Sequence, residues 1–323
     1  MTRILARTPL AVLPTPLVDA PRLAEALGVR SLLVKRDDLT GFAVAGNKAR
    51  QLELLLTEAE TVDADVLVTG GTPGSNFVQA AAAAAAYAGL GCVLVLAGSP
   101  QRRDAHPNLA AAIAWGAQVR WTGEADRSSV DAGISSAAAA LTDEGRRPYA
   151  VPRGGANPTG ATGYRLAVDE LVRQLEAGDD SRAAPTIVVA AGAGGTLAGL
   201  VAGVVAHGRR LRVVGASVSR PADEVAAQVL ALARAVAARQ GEEPPNASDV
   251  HVVDARGPGH GIASPQGDLA ALLALRTAGL VLDPVYTAKA LAVLPSLVGD
   301  GPALFWHTGG LLDAVAGLMG AHP

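Results

Sequence analysis

Short β-branched runs alternate with longer alanine-rich stretches along this chain. The runs predict strands over residues 31–35, 65–69, 92–96, 118–121, 186–190, 212–216 and 303–306. The stretches between them predict helices over 76–88, 107–115, 128–142, 163–175, 196–206, 223–239 and 310–318. Strand and helix in alternation imply parallel sheets covered on both faces. The alanine runs 80–86 and 137–140 suit helices lying close on a sheet. The best loop signals are EAGDDSRAAP at 176–185 and GEEPPNAS at 241–248. There is no internal repeat and no long disordered tract.

One more helix is signalled in LVKRDDLTGFAVAGNKARQLELLL, where Leu52, Leu55, Leu56 and Ala59 fall at helical spacing. Asn47 is a good N-cap, so Lys48 is expected in the first turn. A helix N-terminus carries partial positive charge. It therefore favours the neutral, nucleophilic amine. A lysine that forms a Schiff base wants that environment. The plain alternative is a solvated surface lysine, which is what most lysines are. The rest of the chain has to decide.

Composition narrows the possibilities. The chain of 323 residues has room for two domains. Half of it is hydrophobic but only 3% is aromatic, so a core of Ala, Val and Leu is expected. A formal net charge of -3, with both signs spread along the chain, argues against nucleic acid or an acidic membrane as partner. The alanine-rich stretch AAAAAAAYAGL is too weakly hydrophobic to span a bilayer. The opening MTRILARTPLAVLPTPL has no apolar core of signal-peptide length. A single cysteine, Cys92 in GCVLVL, leaves no intramolecular disulfide and reads as a small buried hydrophobe. A cytoplasmic protein is expected, and a reducing compartment fits it.

Candidate chemistry gathers in three glycine-rich loops, each following a predicted strand. Open α/β sheets bind ligands at the carboxyl ends of their strands. In TIVVAAGAGGTLAGL, Gly192, Ala193, Gly194, Gly195 and Thr196 open a helix, and free N–H groups there can cradle a phosphate. The dinucleotide fingerprint breaks at Leu197, and no Gly-Lys-Ser/Thr follows for a nucleotide triphosphate. A monophosphate fits better. In DVLVTGGTPGSNFVQ, Ser75 and Asn76 are either plain helix caps or a cradle for a carboxylate. In ALFWHTGGLLDAV, Thr308 could meet a ring nitrogen, and His307 reads as a packed residue because no metal-ligand partner stands at the right spacing. A lysine nucleophile, a monophosphate cradle, a carboxylate cradle and a hydroxyl beside a ring together describe a pyridoxal phosphate site.

The same residues carry a resemblance. LPTPL (13–17), KRDDLTG (35–41), GNKARQLE (46–53), GSN (74–76), VPRGGANPTGATGY (151–164), GAGGTLAGL (192–200), LDPVYTAKAL (282–291) and HTGG (307–310) occur in this order. The chain resembles the pyridoxal-phosphate-dependent aminocyclopropane-carboxylate deaminase / D-cysteine desulfhydrase family, nearly end to end. The resemblance implies a tryptophan-synthase-β-like fold (fold type II), with two three-layer α/β/α domains. Residues 46–162 would form the smaller domain, and 1–45 with 163–323 the larger one. A homodimer acting on a small amino acid is expected, with no metal.

It also implies roles. Lys48 would hold the cofactor as a Schiff base. Asn76 would bond the cofactor's ring hydroxyl, Gly192 to Thr196 its phosphate, and Thr308 its pyridine nitrogen. Ser75 would take the substrate carboxylate, with Asn76, Phe77 and Thr287 also lining the substrate, and Tyr286 would serve as an acid/base group. Deaminases of the family resemble DPVYEGK with HLGG. Thr287 and Thr308 stand at those positions here, which favours elimination of a thiol, as in the desulfhydrases. The family often shows GPGYG where this chain has GPGHG, so His260 stands where a tyrosine is usual. A histidine of ordinary pKa would suit proton transfer near neutrality. Phe77, Gln51, Ala278 and Arg153 are further departures. Alternatives are a sulfo-lyase on L-cysteate, for which Arg153 would suit the sulfonate, aminocyclopropane-carboxylate deamination, and a non-catalytic amino-acid sensor.

Overall fold

The structure, a computed structural model, describes residues 7–100, 102, 105–178 and 184–320. Its strands are β1 (Leu17–Asp19), β2 (Leu32–Arg36), β3 (Val66–Gly71), β4 (Gly91–Leu96), β5 (Gln118–Trp121), β6 (Pro148–Ala150), β7 (Thr186–Ala191), β8 (Arg212–Ser217), β9 (His251–Asp254) and β10 (Ala303–His307). Its helices are α1 (Pro21–Leu27), α2 (Lys48–Thr61), α3 (Asn76–Tyr87), α4 (Pro107–Ala114), α5 (Ser129–Asp143), α6 (Pro158–Glu176), α7 (Gly195–Ala206), α8 (Ala222–Gln240), α9 (Pro265–Ala278), α10 (Thr287–Val298) and α11 (Leu311–Gly320).

Two sheets result. One has four parallel strands in the order β5-β4-β3-β6. The other has six, ordered β1-β2-β10-β7-β8-β9, all parallel except β1, which runs antiparallel along the edge. The six-stranded sheet draws on both ends of the chain, so the four-stranded one is an insertion between β2 and β7. Apolar side chains alternate between two cores, as the pleat requires. Ile187, Val189 and Ala191 of β7 face a core shared with α6, α7 and α8, whereas Val188 and Ala190 face α1, α9 and α10. Leu67 and Leu94 face α2, α3 and α4, and Val66, Val68, Val93 and Val95 face α5. Each sheet is thus the middle of three layers, in agreement with the expected α/β class. The core is mostly Ala, Val and Leu, with Trp306, Tyr164, Phe77 and Phe305 fully buried in it.

The seven expected strands are present, within a residue or two at each end. Three short ones, β1, β6 and β9, were not expected: each has only three or four residues, too few to show a period. Helices α1, α9 and α10 were not expected either. For α9 the signal existed, because Ser264 caps it by accepting the Gly267 N–H and Pro265 follows. Helix α10 holds Pro295 inside, which hides a helix from a propensity reading. Helix α6 starts at Pro158 rather than at 163. Its glycines look like turn residues but serve close packing: a Cβ on Gly160 would strike the Gly155 carbonyl, and one on Gly163 the Arg50 carbonyl. The loop expected at 176–185 lies partly outside the described residues.

Candidate active site

The carboxyl ends of β3 and β7 and the first turns of α2, α3 and α7 converge on one cleft between the two sheets. Lys48, Ser75, Asn76, Phe77, Gly192, Ala193, Gly194, Gly195, Thr196, His260, Tyr286 and Thr308 all line it. Of the residues expected to hold cofactor or substrate, Thr287 alone does not. It is fully buried in α10, where its hydroxyl donates to Asp283 Oδ2 at 2.6 Å and accepts the Asp283 N–H at 2.8 Å. Thr287 holds the turn before α10 and does not reach a ligand, which corrects the expectation of a substrate contact.

Lys48 opens α2, and burial lowers its amine to about 8. The expected cap is absent. Asn47 is itself helical and caps nothing with its side chain; its amide donates to Thr196 Oγ1 at 2.9 Å instead. Asn47 N–H also donates to the Thr308 carbonyl at 2.9 Å. These two bonds seat the start of α2 on both glycine loops of the larger sheet. A Cβ on Gly46 would strike the Thr308 carbonyl, so only glycine allows this approach.

Ser75 is the N-cap of α3, its Oγ accepting the Phe77 N–H at 3.3 Å. Asn76 is the first residue of that helix. The Phe77 ring is buried, and a Cβ on Gly155 would lie 2.8 Å from it. Across the cleft, Tyr286 and His260 meet edge to face with ring centres 6.2 Å apart. Burial pushes the Tyr286 phenol up to about 12, so it is a proton donor at neutrality. Burial, then the charges of Arg127 and Lys289, push His260 down to about 4. The imidazole is neutral at physiological pH, so the expectation of an ordinary histidine titrating near neutrality is corrected. Desolvation by its new surroundings, invisible in GPGHG, is the reason.

One lining residue escaped the sequence reading. Arg127, in the loop between β5 and α5, lines the cleft and belongs to no motif. Arg153 lines it too, but its guanidinium is committed to Asp131, with bonds of 3.0, 3.0 and 2.7 Å.

A family model described as "Pyridoxal-phosphate dependent enzyme" matches residues 8–309. The chain belongs to the pyridoxal-phosphate-dependent enzymes. Among curated relatives of this enzyme, the D-cysteine desulfhydrase of Salmonella typhi is 36% identical over 308 residues, 92% of each chain. That of Salmonella paratyphi B is 35% identical over the same share. The crystal structure of an ACC deaminase homologue superposes with a TM-score of 0.88 at 32% identity, covering 98% of this chain and 96% of that one. A fungal L-serine ammonia-lyase from Rhizomucor miehei shares the fold, with a TM-score of 0.66 at 19% identity.

The cleft fits the cofactor. Helix α7 opens at Gly194 and Gly195 with no side-chain cap, so its first N–H groups face the cleft unspent. The loop is bare by necessity: a Cβ on Gly192 would lie 3.0 Å from the Tyr286 ring, and one on Gly195 2.9 Å from Gln51 Nε2. Gln51 is fully buried, and neither atom of its amide has a partner. Buried amides are rarely left so. Beside Gly195, this one has a phosphate oxygen as its natural acceptor. Among the described residues no group of acidic, histidine or cysteine side chains could hold a metal.

Proposed function

We propose that this enzyme is a lyase that eliminates the β-substituent of a small amino acid, as a D-cysteine desulfhydrase does, releasing pyruvate, ammonia and sulfide from cysteine. The observation that carries this reading is one cleft in which a depressed-pKa lysine lies opposite a protonated tyrosine, in a chain similar over 92% of its length to D-cysteine desulfhydrases. When bound, pyridoxal phosphate supplies the electron sink that makes loss of a Cα proton feasible.

The chain's own residues do the rest. Lys48 would hold the cofactor covalently and, once displaced by the substrate amine, would be free to accept the Cα proton. The α7 N-terminus, from Gly192 to Thr196, binds the phosphate with the Gln51 amide. Asn76 would orient the ring through the ring's hydroxyl oxygen. Thr308 would face the pyridine nitrogen with a neutral hydroxyl, which would keep the sink moderate and make a good leaving group necessary. Ser75, at the positive start of α3, takes the substrate carboxylate. Tyr286 donates its proton to the departing thiolate as the Cβ–S bond breaks with its electrons on sulfur. The neutral His260 beside it keeps that phenol oriented. Water converts the released aminoacrylate to pyruvate and ammonia. The working division is a smaller domain of residues 46–162 carrying Lys48 and a larger one built from both ends of the chain. No helix among the described residues is long and apolar enough to cross a membrane. We read the enzyme as a cytoplasmic homodimer.

The test is a product assay with D- and L-cysteine and aminocyclopropane-carboxylate. Pyruvate and sulfide should appear from cysteine, and 2-oxobutyrate slowly or not at all. Lys48→Ala should abolish both turnover and the yellow Schiff-base absorbance. Faster release of 2-oxobutyrate than of pyruvate, or survival of both signals in Lys48→Ala, sinks the reading.

A further inference from the structure

The motif LDPVYTAKAL brings a tyrosine and a lysine to the start of α10, and the mechanism above uses only the tyrosine. Tyr286 is the N-cap residue and lines the cleft. Lys289 lies three residues further on, in the first turn, and is 1% exposed. Both circumstances work against its charge. Burial disfavours an ammonium group, and a helix N-terminus carries partial charge of the same sign. The turn holds no acidic residue to offset it. A fold seldom keeps so costly a cation unless it holds something in place.

What Lys289 holds is the loop between β9 and α9. Its Nζ donates to the Arg256 carbonyl at 2.6 Å and to the Gly259 carbonyl at 2.9 Å. The same two carbonyls close the loop's own turns: Arg256 accepts the Gly259 N–H at 3.2 Å, and Gly259 accepts the Ile262 N–H at 3.4 Å. Those turn bonds are long and therefore weak. The ammonium ties the two turns together, and His260 lies inside the second. The segment has little stiffness of its own, because Gly259 and Gly261 on either side of His260 take φ of 153° and 78°. The buried Nδ1 of His260 has no hydrogen-bond partner among the described residues, so the imidazole gains no anchor at that atom. Yet its ring stands edge to face with Tyr286, centres 6.2 Å apart. One helix start thus presents the phenol directly and, through Lys289, the ring that packs against it.

We infer that Lys289 is a positioning residue for proton delivery: by pinning the Arg256 and Gly259 carbonyls it fixes His260 against Tyr286, and so aims the phenol at the leaving group. This inference rests on the lyase reading above and adds the group that aligns its acid. As the Cβ–S bond breaks with its electron pair on sulfur, the Tyr286 proton passes to that sulfur, and the phenolate regains a proton from water. A leaving group that departs as a stable anion, such as chloride, needs no such proton. Its loss should not depend on Lys289.

The test compares the wild-type holoenzyme with Lys289→Met, which keeps the stem and removes the charge, on both enantiomers of cysteine and of 3-chloroalanine. The ratio of kcat for cysteine to kcat for 3-chloroalanine should fall roughly 10- to 100-fold, with KM and the yellow cofactor absorbance little changed. Lys289→Gln should lose less, because its amide still offers a donor to a carbonyl. A second measurement needs no turnover: in Lys289→Met the amides of residues 259–262 should exchange with deuterium about tenfold faster, while those of the later turns of α10 keep their wild-type rates. An equal loss on both substrates would make Lys289 a purely structural residue and overturn the inference, as would unchanged exchange in the loop. If Lys289→Met does not fold, Lys289→Gln carries the same two comparisons. If the wild type eliminates both thiol and chloride and the ratio does not move in the variant, the Lys289 inference fails and the lyase reading stands. If the wild type eliminates neither, the lyase reading itself fails, and this inference with it.

Discussion

Lys48 shows how the same outcome can come from a different cause. Its position at a helix start suggested a field effect reinforced by an Asn47 cap. The structure gives it burial in the cleft, while Asn47 turns away to Thr196. The direction of the shift is the same, since both effects disfavour the ammonium. An amine lowered to about 8 is mostly protonated below that pH and neutral above it. Capture of added pyridoxal phosphate by the cofactor-free chain should therefore speed up about tenfold per pH unit below 8 and level off above it. Stopped-flow absorbance between pH 6 and 10 checks this, and a rate that keeps rising toward the ordinary lysine value of 10.5 would show that burial is relieved without the cofactor. Arg127 and His260 make the opposite point. Neither charge state nor partner can be read from EADRSS or GPGHG, because both depend on what the far side of the cleft brings.

Helix α6 runs past α2 and α7 at close quarters, and its side chains close a buried charge cluster. Arg50 of α2 donates to Asp37 at 2.9 and 3.0 Å and to Glu170 of α6 at 2.8 and 3.0 Å. Lys35 of β2 also meets Glu170, and Tyr164 and Trp306 donate to Asp37 at 2.6 and 2.8 Å. Nothing in the sequence announces this cluster, because members bonded to each other lie up to 269 positions apart. Glycine loops are legible because their chemistry is local, from strand to loop to helix. A network assembled by four elements is not, and neither is an interior glycine that exists to admit a neighbour's carbonyl. Glu170→Gln leaves Lys35 and Arg50 buried with one anion fewer. It should destabilise the fold by about 3–5 kcal/mol in urea unfolding, well beyond a surface pair. Asp37 adds a pH signature. Burial pushes its carboxyl up, but Arg50 and the hydrogen bonds from Arg50, Tyr164 and Trp306 outweigh that and hold it at about 2. Its contribution is complete above the ordinary value of 3.8 and is lost as pH falls toward 2. Acid unfolding midpoints should rise in Tyr164→Phe, which removes one of those bonds.

In the whole molecule, β10 is the last strand in chain order and yet lies inside the six-stranded sheet, between β2 and β7. It pairs with β2 over Ala303–His307, supplies Trp306 to the buried cluster, and leads directly into Thr308 on the cleft. The time order of synthesis therefore matters. All four strands of the smaller sheet have been made by residue 150, so that layer can form early. The larger sheet has a gap at its centre until residue 307 has been added. A chain stopped at residue 302 should protect the four-stranded region from limited proteolysis while β2 and β7 remain open to cutting, and it should capture no cofactor. Equal protection of both halves would show that β2 and β7 can close on each other. The cofactor pocket thus becomes competent only once residue 307 has been made, and a product terminated before it carries a reactive lysine with no ring to hold.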